Sequence, residues 1–503
     1  MERLEIVFGT VLIGIIVIIL SVCGEYTNRL SDNRCLMLFV IGIDLIVGGL
    51  YLVFRRKEKA EGIKRPVLWL AGIYAFFFVL QMIWINHVYF EIGWDVGAMR
   101  FWVESIVNGS TLAECDALFG YSIYPNNLFL FYIFYLIEKV GTLFSVDNPY
   151  LLCVYGASLS VNLSCFLGHL IVRKLIKSRV IQCVYFLIVI CWIFSSSWSM
   201  VPYSDAYGMF FVLLGMWGIL ACDRKYIKWV VVTFAAIMGY HIKPTAIFPL
   251  FVAYLVYCIR YILSLKERWR ELAVLVVSTI CFWLIGLCIP LWIQHTFSFR
   301  LIPELRMTYH HYLMMGINET DRGSYSQEDY EFSRYQPDVE TRKRADMEVF
   351  WSRWDTLIEE GRLGDLAVQK AMINFNNGSF AWDQDGATNI YYTKQDHFLA
   401  DWFENTMKYG GQYFLTYLTL MQVIWLQVLC GILFVGSGSK ENRTEKSCMM
   451  LAVCGLIVFL MLFEARARYL YLYSPIFLIL SLCGYEAGYS KVAELLEKLQ
   501  TDM

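Results

Sequence analysis

Apolar residues run along most of the chain in blocks of about 17–25, separated by short polar punctuation, the length a helix needs to cross a bilayer. The blocks fall near 5–22, 36–54, 66–86, 126–144, 149–172, 179–198, 206–222, 228–244, 245–260, 271–295, 412–435, 448–463 and 470–486. Aromatic residues crowd their ends, where interfacial anchoring places them. The pattern predicts an all-α polytopic membrane protein with about 12–13 transmembrane helices. One stretch departs from it. Residues 296–411 are polar, aromatic and more acidic than basic, and the 349–371 part reads as one amphipathic helix. The chain therefore divides into an N-terminal transmembrane module (1–295), a loop domain (296–411), and C-terminal helices with a short tail (412–503).

Basic residues orient the blocks, because Lys and Arg accumulate in cytoplasmic loops. The densest cluster is Arg55, Arg56, Lys57, Lys59, Lys64 and Arg65. Others are Arg173, Lys174, Lys177 and Arg179; Arg224, Lys225 and Lys228; Lys266, Arg268 and Arg270; and Lys440, Arg443 and Lys446. With these inside, both termini are inside, and 23–35, 87–125, 199–205, 296–411 and 464–469 lie outside. The 126–144 and 149–172 blocks lie between an outside loop and an inside cluster, which allows one net crossing. The first carries Glu138 and Lys139 and is expected to be re-entrant or to lie along the surface.

Composition sharpens this reading. Of 503 residues, 58% are hydrophobic and 17% charged, against about 25% charged in soluble chains. A formal charge of −2 gives no sign of a nucleic-acid partner. Most of the 15 Cys fall inside apolar runs, where Cys acts as a small hydrophobe, and none has metal-type spacing. The 7–20 run lacks a convincing cleavage site and reads as a retained first helix.

The polar residues that interrupt the pattern collect on the predicted outer face. Asp95 follows the third block, in Gly93-Trp94-Asp95-Val96-Gly97. Partial desolvation at the membrane boundary would raise its pKa and suit it to accept a proton; an ordinary interfacial acid is the alternative. Asp205 lies in Pro202-Tyr203-Ser204-Asp205, where Ser204 or Asp205 can cap the next helix as readily as serve chemistry. His241-Ile242-Lys243-Pro244 puts Lys243 on the outer side against the charge bias, either facing an anion or reaching lipid headgroups. Glu464-Ala465-Arg466-Ala467-Arg468-Tyr469 places two Arg in one short outer turn. Their guanidinium forks suit phosphate oxygens, unless Glu464 neutralises one in a structural pair. In the loop domain, Trp382 and Asp383 sit in an aromatic, amide- and carboxylate-rich run of the kind that binds sugars. Asp383 and Asp385 are candidates for a divalent cation, though two carboxylates are too few to define a site. Asp44, inside the second block, suggests a helix–helix hydrogen bond.

In their order and sidedness these residues resemble the GT-C superfamily of membrane glycosyltransferases, among them the protein O-mannosyltransferases, the aminoarabinose transferases and related bacterial cell-envelope enzymes. The series is Asp95 after an early span, Tyr124-Pro125 opening the next apolar segment, Asp205, Lys243-Pro244, and Arg466, Arg468 and Tyr469 before a Pro475-containing span. The chain departs from the family in carrying Asp95-Val96 in place of an Asp-Glu pair, and in having two helices before the first Asp. The resemblance implies a GT-C-like helix arrangement in a bacterial plasma membrane with an extracytoplasmic active site. It implies inverting transfer of a sugar from a polyprenyl-phosphate donor to an acceptor hydroxyl on a glycan, polymer, lipid or protein. Asp95 and Asp205 would be catalytic, and Lys243, Arg466 and Arg468 would hold the donor phosphate. Tyr124, His241, Trp382, Asp383 and Tyr469 are the substrate-binding candidates, and no resident metal is implied. Two other classes compete: a polysaccharide polymerase or ligase using a diphosphate-linked glycan, and a non-enzymatic lipid or glycan transporter. A transporter would place its polar residues near mid-membrane in two related halves.

Overall fold

A computed structural model describes residues 2–25, 33–58, 67–394, 397–437 and 442–501. Of the predicted basic residues, Lys59, Lys64, Arg65 and Lys440 lie outside them. The chain is almost wholly helical. It begins with α1 (Glu2–Glu25), α2 (Asn33–Glu58), α3 (Val67–Val88), the short strand β1 (Phe90–Ile92) and α4 (Trp94–Val107). Then come α5 (Leu112–Phe119), α6 (Leu128–Leu143), α7 (Tyr150–Leu175), α8 (Arg179–Ile188), α9 (Ser204–Leu220), α10 (Ile227–Ile242), α11 (Phe248–Leu263) and α12 (Leu265–Thr296). The 296–411 region holds α13 (Tyr309–Gly316), α14 (Gln327–Arg334), α15 (Val339–Glu359), α16 (Leu363–Phe375), β2 (Ile390–Thr393) and α17 (Phe398–Met407). Helices α18 (Phe414–Ile432), α19 (Arg443–Leu462) and α20 (Ser474–Thr501) complete it.

Nine helices among the described residues are long and apolar enough to cross a membrane. Three shorter apolar helices, Arg179–Phe194, Ser204–Leu220 and Ile227–Ile242, add to them. The protein is an all-α polytopic membrane protein. The predicted block absent from both groups is 126–144, where α6 has 16 residues. Its neighbour α7, with 26 residues, has the length to span.

Helix α9 packs between α7 and α10, and α10 against α12. Glycines on α7 permit the closest of these approaches, since a Cβ on Gly156 would overlap the Tyr207 hydroxyl. That hydroxyl donates to the Cys153 carbonyl at 2.8 Å. The two N-terminal helices join the C-terminal ones: α1 lies on α19 and α16, and α2 on α18 and α8. Asp44 of α2 accepts from the Gln427 amide of α18, the helix–helix hydrogen bond expected of it.

The 296–411 region folds against one end of this bundle. Its 349–371 stretch is not one helix: α15 ends at Glu359 and α16 begins at Leu363, because Gly361 takes φ +68° and turns the chain. Its interior holds a polar network beside a small apolar cluster of Ile317, Leu357 and Leu366. Arg353 grips Asp329 through both terminal nitrogens, at 2.6 and 2.9 Å. His311 Nδ1 lies 2.8 Å from Ser333 Oγ, which donates to Asp346 at 2.7 Å. Ser333 is fully buried and stands between the other two, so the trio is a structural network and not a nucleophile–base–acid relay. Strands β1 and β2 pair antiparallel, with Glu91 opposite Tyr392, and join this region to the turn before α4.

Candidate functional site

The β1 strand delivers the chain to Gly93-Trp94-Asp95. Gly93 N donates to the Asn389 carbonyl and Trp94 Nε1 to the Asp385 carbonyl, each at 3.0 Å. These bonds hold Trp94 at φ +45°, a conformation rare for a bulky residue that costs on the order of 1–3 kcal/mol. Asp95 then stands in the first turn of α4, exposed, and its Oδ2 accepts from the Tyr203 hydroxyl at 2.9 Å. The protein does not bury Asp95; what constrains this carboxylate is the Tyr203 bond. Tyr203 itself is buried edge-on against Trp94, with ring centroids 5.2 Å apart.

Asp205 enters the same region from the first turn of α9. It caps nothing: Tyr203 is the N-cap of α9, and no side chain bonds the free backbone groups there. Its Oδ1 accepts from Lys243 Nζ, and its Oδ2 lies 3.8 Å from Arg468 Nε. Two aromatic faces take up the rest of the cationic surface. Lys243 Nζ sits 4.5 Å from the Tyr469 ring centre, and the Arg468 guanidinium 4.4 Å from that of Trp94. Arg466 lies 3.4 Å from Asp385 Oδ2 and 3.7 Å from Glu464 Oε1. Both are longer than a charge-assisted hydrogen bond of about 2.8 Å. Glu464 accepts from the Tyr469 hydroxyl at 2.8 Å.

The arrangement answers the choice between anion site and structural pair for the two arginines with both features at once. Each of the three cations has a carboxylate nearby: Asp205 for Lys243 and Arg468, Asp385 and Glu464 for Arg466. Yet the pairing is incomplete. Arg468 Nε and Asp385 Oδ2 are buried with no hydrogen-bond partner, an expensive state for charged groups.

Tyr124 is half-buried just before α6. Burial, with Tyr312, Tyr330 and the Asp95 carboxylate nearby, pushes its phenol well above the ordinary value and keeps it a neutral donor. Tyr469 stands in the cluster. His241 does not: its ring packs against Phe129 of α6, and its Nε2 is among the atoms nearest a Cβ built on Gly286 of α12. Trp382 is fully buried against Phe90 and Trp198 and has no free face for a sugar. Asp383 accepts from Asn377 at 2.8 Å while Asp385 faces Arg466, so the two carboxylates have separate partners. Among the described residues no group of three or more metal-type ligands forms. Tyr203 and Trp94, which the sequence reading left without a role, bind the two halves of the site together.

A family described as conserved hypothetical integral membrane proteins matches residues 7–489. The chain belongs to that family. A search of curated proteins found no match. The matched span takes in Asp95, Asp205, Lys243, Arg466, Arg468 and the whole 296–411 region.

Proposed function

We propose that this integral membrane protein is an inverting glycosyltransferase that uses a polyprenyl-phosphate sugar and works at the membrane face carrying Asp95, on the extracytoplasmic side. The observation that carries the reading is one exposed carboxylate, held by Tyr203, beside buried and half-buried guanidinium groups with unfilled hydrogen-bonding capacity. Asp95 takes the proton of the acceptor hydroxyl as its oxygen attacks the anomeric carbon. The bond from that carbon to the phosphate oxygen breaks, and its electron pair leaves with the phosphate. Arg466, Arg468 and Lys243 offset the developing charge. A phosphate entering between Arg468 and Arg466 would supply the acceptor atoms that Arg468 Nε lacks. Asp205 then holds Lys243 and Arg468 in place and does not move a proton itself.

The test is transfer by the purified protein in lipid, offered monophosphate-linked and diphosphate-linked polyprenyl sugars with acceptors extracted from the cell envelope. Wild type is expected to turn over a monophosphate donor. Asp95→Asn is expected to insert and fold normally but lose about 10²–10⁴-fold in rate. A loss under about tenfold removes Asp95 as the base. Turnover restricted to the diphosphate donor would favour a polymerase or ligase.

A further inference from the structure

Helix α16 lies in the 296–411 region, yet two of its buried side chains bond to the backbone at the end of α19. Lys370 is 2% exposed and Asn374 fully buried. Lys370 Nζ donates to the Gly316 carbonyl at 2.5 Å and to the Phe463 carbonyl at 2.7 Å. The Asn374 amide donates to the Leu460 carbonyl at 3.0 Å, and its oxygen accepts from Arg466 N at 2.8 Å. A fifth bond, from Ala465 N to the Gly323 carbonyl at 2.7 Å, ties the same turn to the loop after α13.

The last carbonyls of a helix have no partner within it, and a cation beside them is favoured by the helix dipole. That accounts for a buried lysine with no carboxylate bonded to it. It does not account for the second half of Asn374's work, which bears on the residue that carries the guanidinium. Arg466 is an extended residue, φ −160° and ψ 116°, between two anchored points: Asn374 on its own N–H and the 3₁₀ turn Ala467–Tyr473 after it. Its side chain can face Asp385 and Glu464 only while that backbone is held.

We propose that Lys370 and Asn374 are positioning residues for Arg466, through which the 296–411 region sets the aim of an anion-binding guanidinium. The inference rests on the anion-binding reading of the cluster. Lys370→Met keeps most of the apolar stem and removes the donors, and Asn374→Leu removes both Asn374 bonds at similar volume. In full-length protein in lipid, a short-chain polyprenyl monophosphate serves as the probe, its binding followed by titration calorimetry. Each variant is expected to bind about tenfold more weakly, the scale of one charge-assisted hydrogen bond. In an Arg466→Gln background neither is expected to weaken binding further, because the effect runs through Arg466. Full additivity in that background overturns the proposal.

A second readout needs neither transfer nor probe binding. Phenylglyoxal adduct formation at Arg466, measured by peptide mapping against the exposed Arg344 in the same sample, is expected to change in both variants. An unchanged ratio overturns the positioning role. Failure of the wild type to bind the probe strikes the anion reading alone, and the adduct ratio then decides the positioning.

Discussion

Charged residues flank helices α9 and α10 at both ends. At one, Lys228 stacks on Tyr257 and Glu271 is buried, but the Lys174–Asp223 pair lies in solvent, and that pair contrasts with the pairs at the other end. At one end, Lys174 pairs with Asp223 at 2.6 Å, the side chains 41% and 81% exposed, and Lys225 reaches Glu271 only at 4.0 Å. At the other, about 24 Å away by helix rise, Lys243 and Asp205 are paired at 12% and 6% exposure, and Arg468 at 7% stacks on Trp94. The residue types are the same. The difference lies in what replaces water. Exposed cations keep their hydration and need no partner, which is why a membrane protein can place them by charge bias alone. Buried cations have lost it, and carboxylates, aromatic faces and, on the reading offered here, a phosphate stand in. Counting charges does not pick out the candidate site; its desolvated cations with unfinished compensation do.

The comparison breaks outright if the two ends do not lie on opposite sides of the membrane. In a background without native cysteines, Tyr335→Cys is expected to react with an impermeant maleimide on intact cells, since Tyr335 is 78% exposed in the 296–411 region. Lys225→Cys, at the other end, is expected to react only once cells are opened. Reversed reactivity would put the Asp95 cluster on the cytoplasmic face and end the case for a donor presented outside.

Next in size is the buried pair. Asp205→Asn leaves Lys243 and Arg468 without their carboxylate, and breaking a buried pair from one side costs about 3–5 kcal/mol. Thermal unfolding in lipid is expected to shift down accordingly, with most of the loss recovered by a bound polyprenyl monophosphate that takes over the missing charge. A variant as stable as wild type would mean that the two cations are hydrated after all.

Much of this was legible in the apolar pattern, because span length and charge bias are local properties. Twelve of the thirteen predicted blocks correspond to long or short apolar helices, and the exception, 126–144, already looked irregular for its Glu138 and Lys139. The meeting of Asp205, Lys243 and Arg468 was legible only as a shared face, since residues so far apart in sequence signal no contact. What stayed hidden depends on tertiary detail. Pairing of β1 with β2 involves a three-residue and a four-residue strand, too short for any periodicity. Trp382 looked like a sugar platform by composition, but composition cannot tell a surface tryptophan from one sealed by Phe90 and Trp198. Asp205 looked like a cap because Ser204-Asp205 after Pro202 is a capping sequence, and its carboxylate found stronger partners in Lys243 and Arg468.

The smallest effect is the one that makes the contrast quantitative. Lys174 and Asp223 form a good ion pair by distance, and at 2.6 Å it looks as sound as many buried ones. Exposure decides its worth: with both charges solvated, the pair gains little over two separate hydrated ions and loses side-chain freedom, so pairs of this kind contribute about 0–1 kcal/mol. Lys174→Met is therefore expected to leave the unfolding midpoint nearly unchanged, and raising the ionic strength should shrink even that difference. Transfer activity should not change, because Lys174 sits at the far end of α7 from Tyr150, which packs under Arg100 of α4. The measurement is thermal unfolding of Lys174→Met beside Asp205→Asn, in the same lipid at low and high salt. A loss for Lys174→Met as large as that for Asp205→Asn would show that the two ends are energetically alike, and exposure would no longer distinguish the candidate site from an ordinary basic turn.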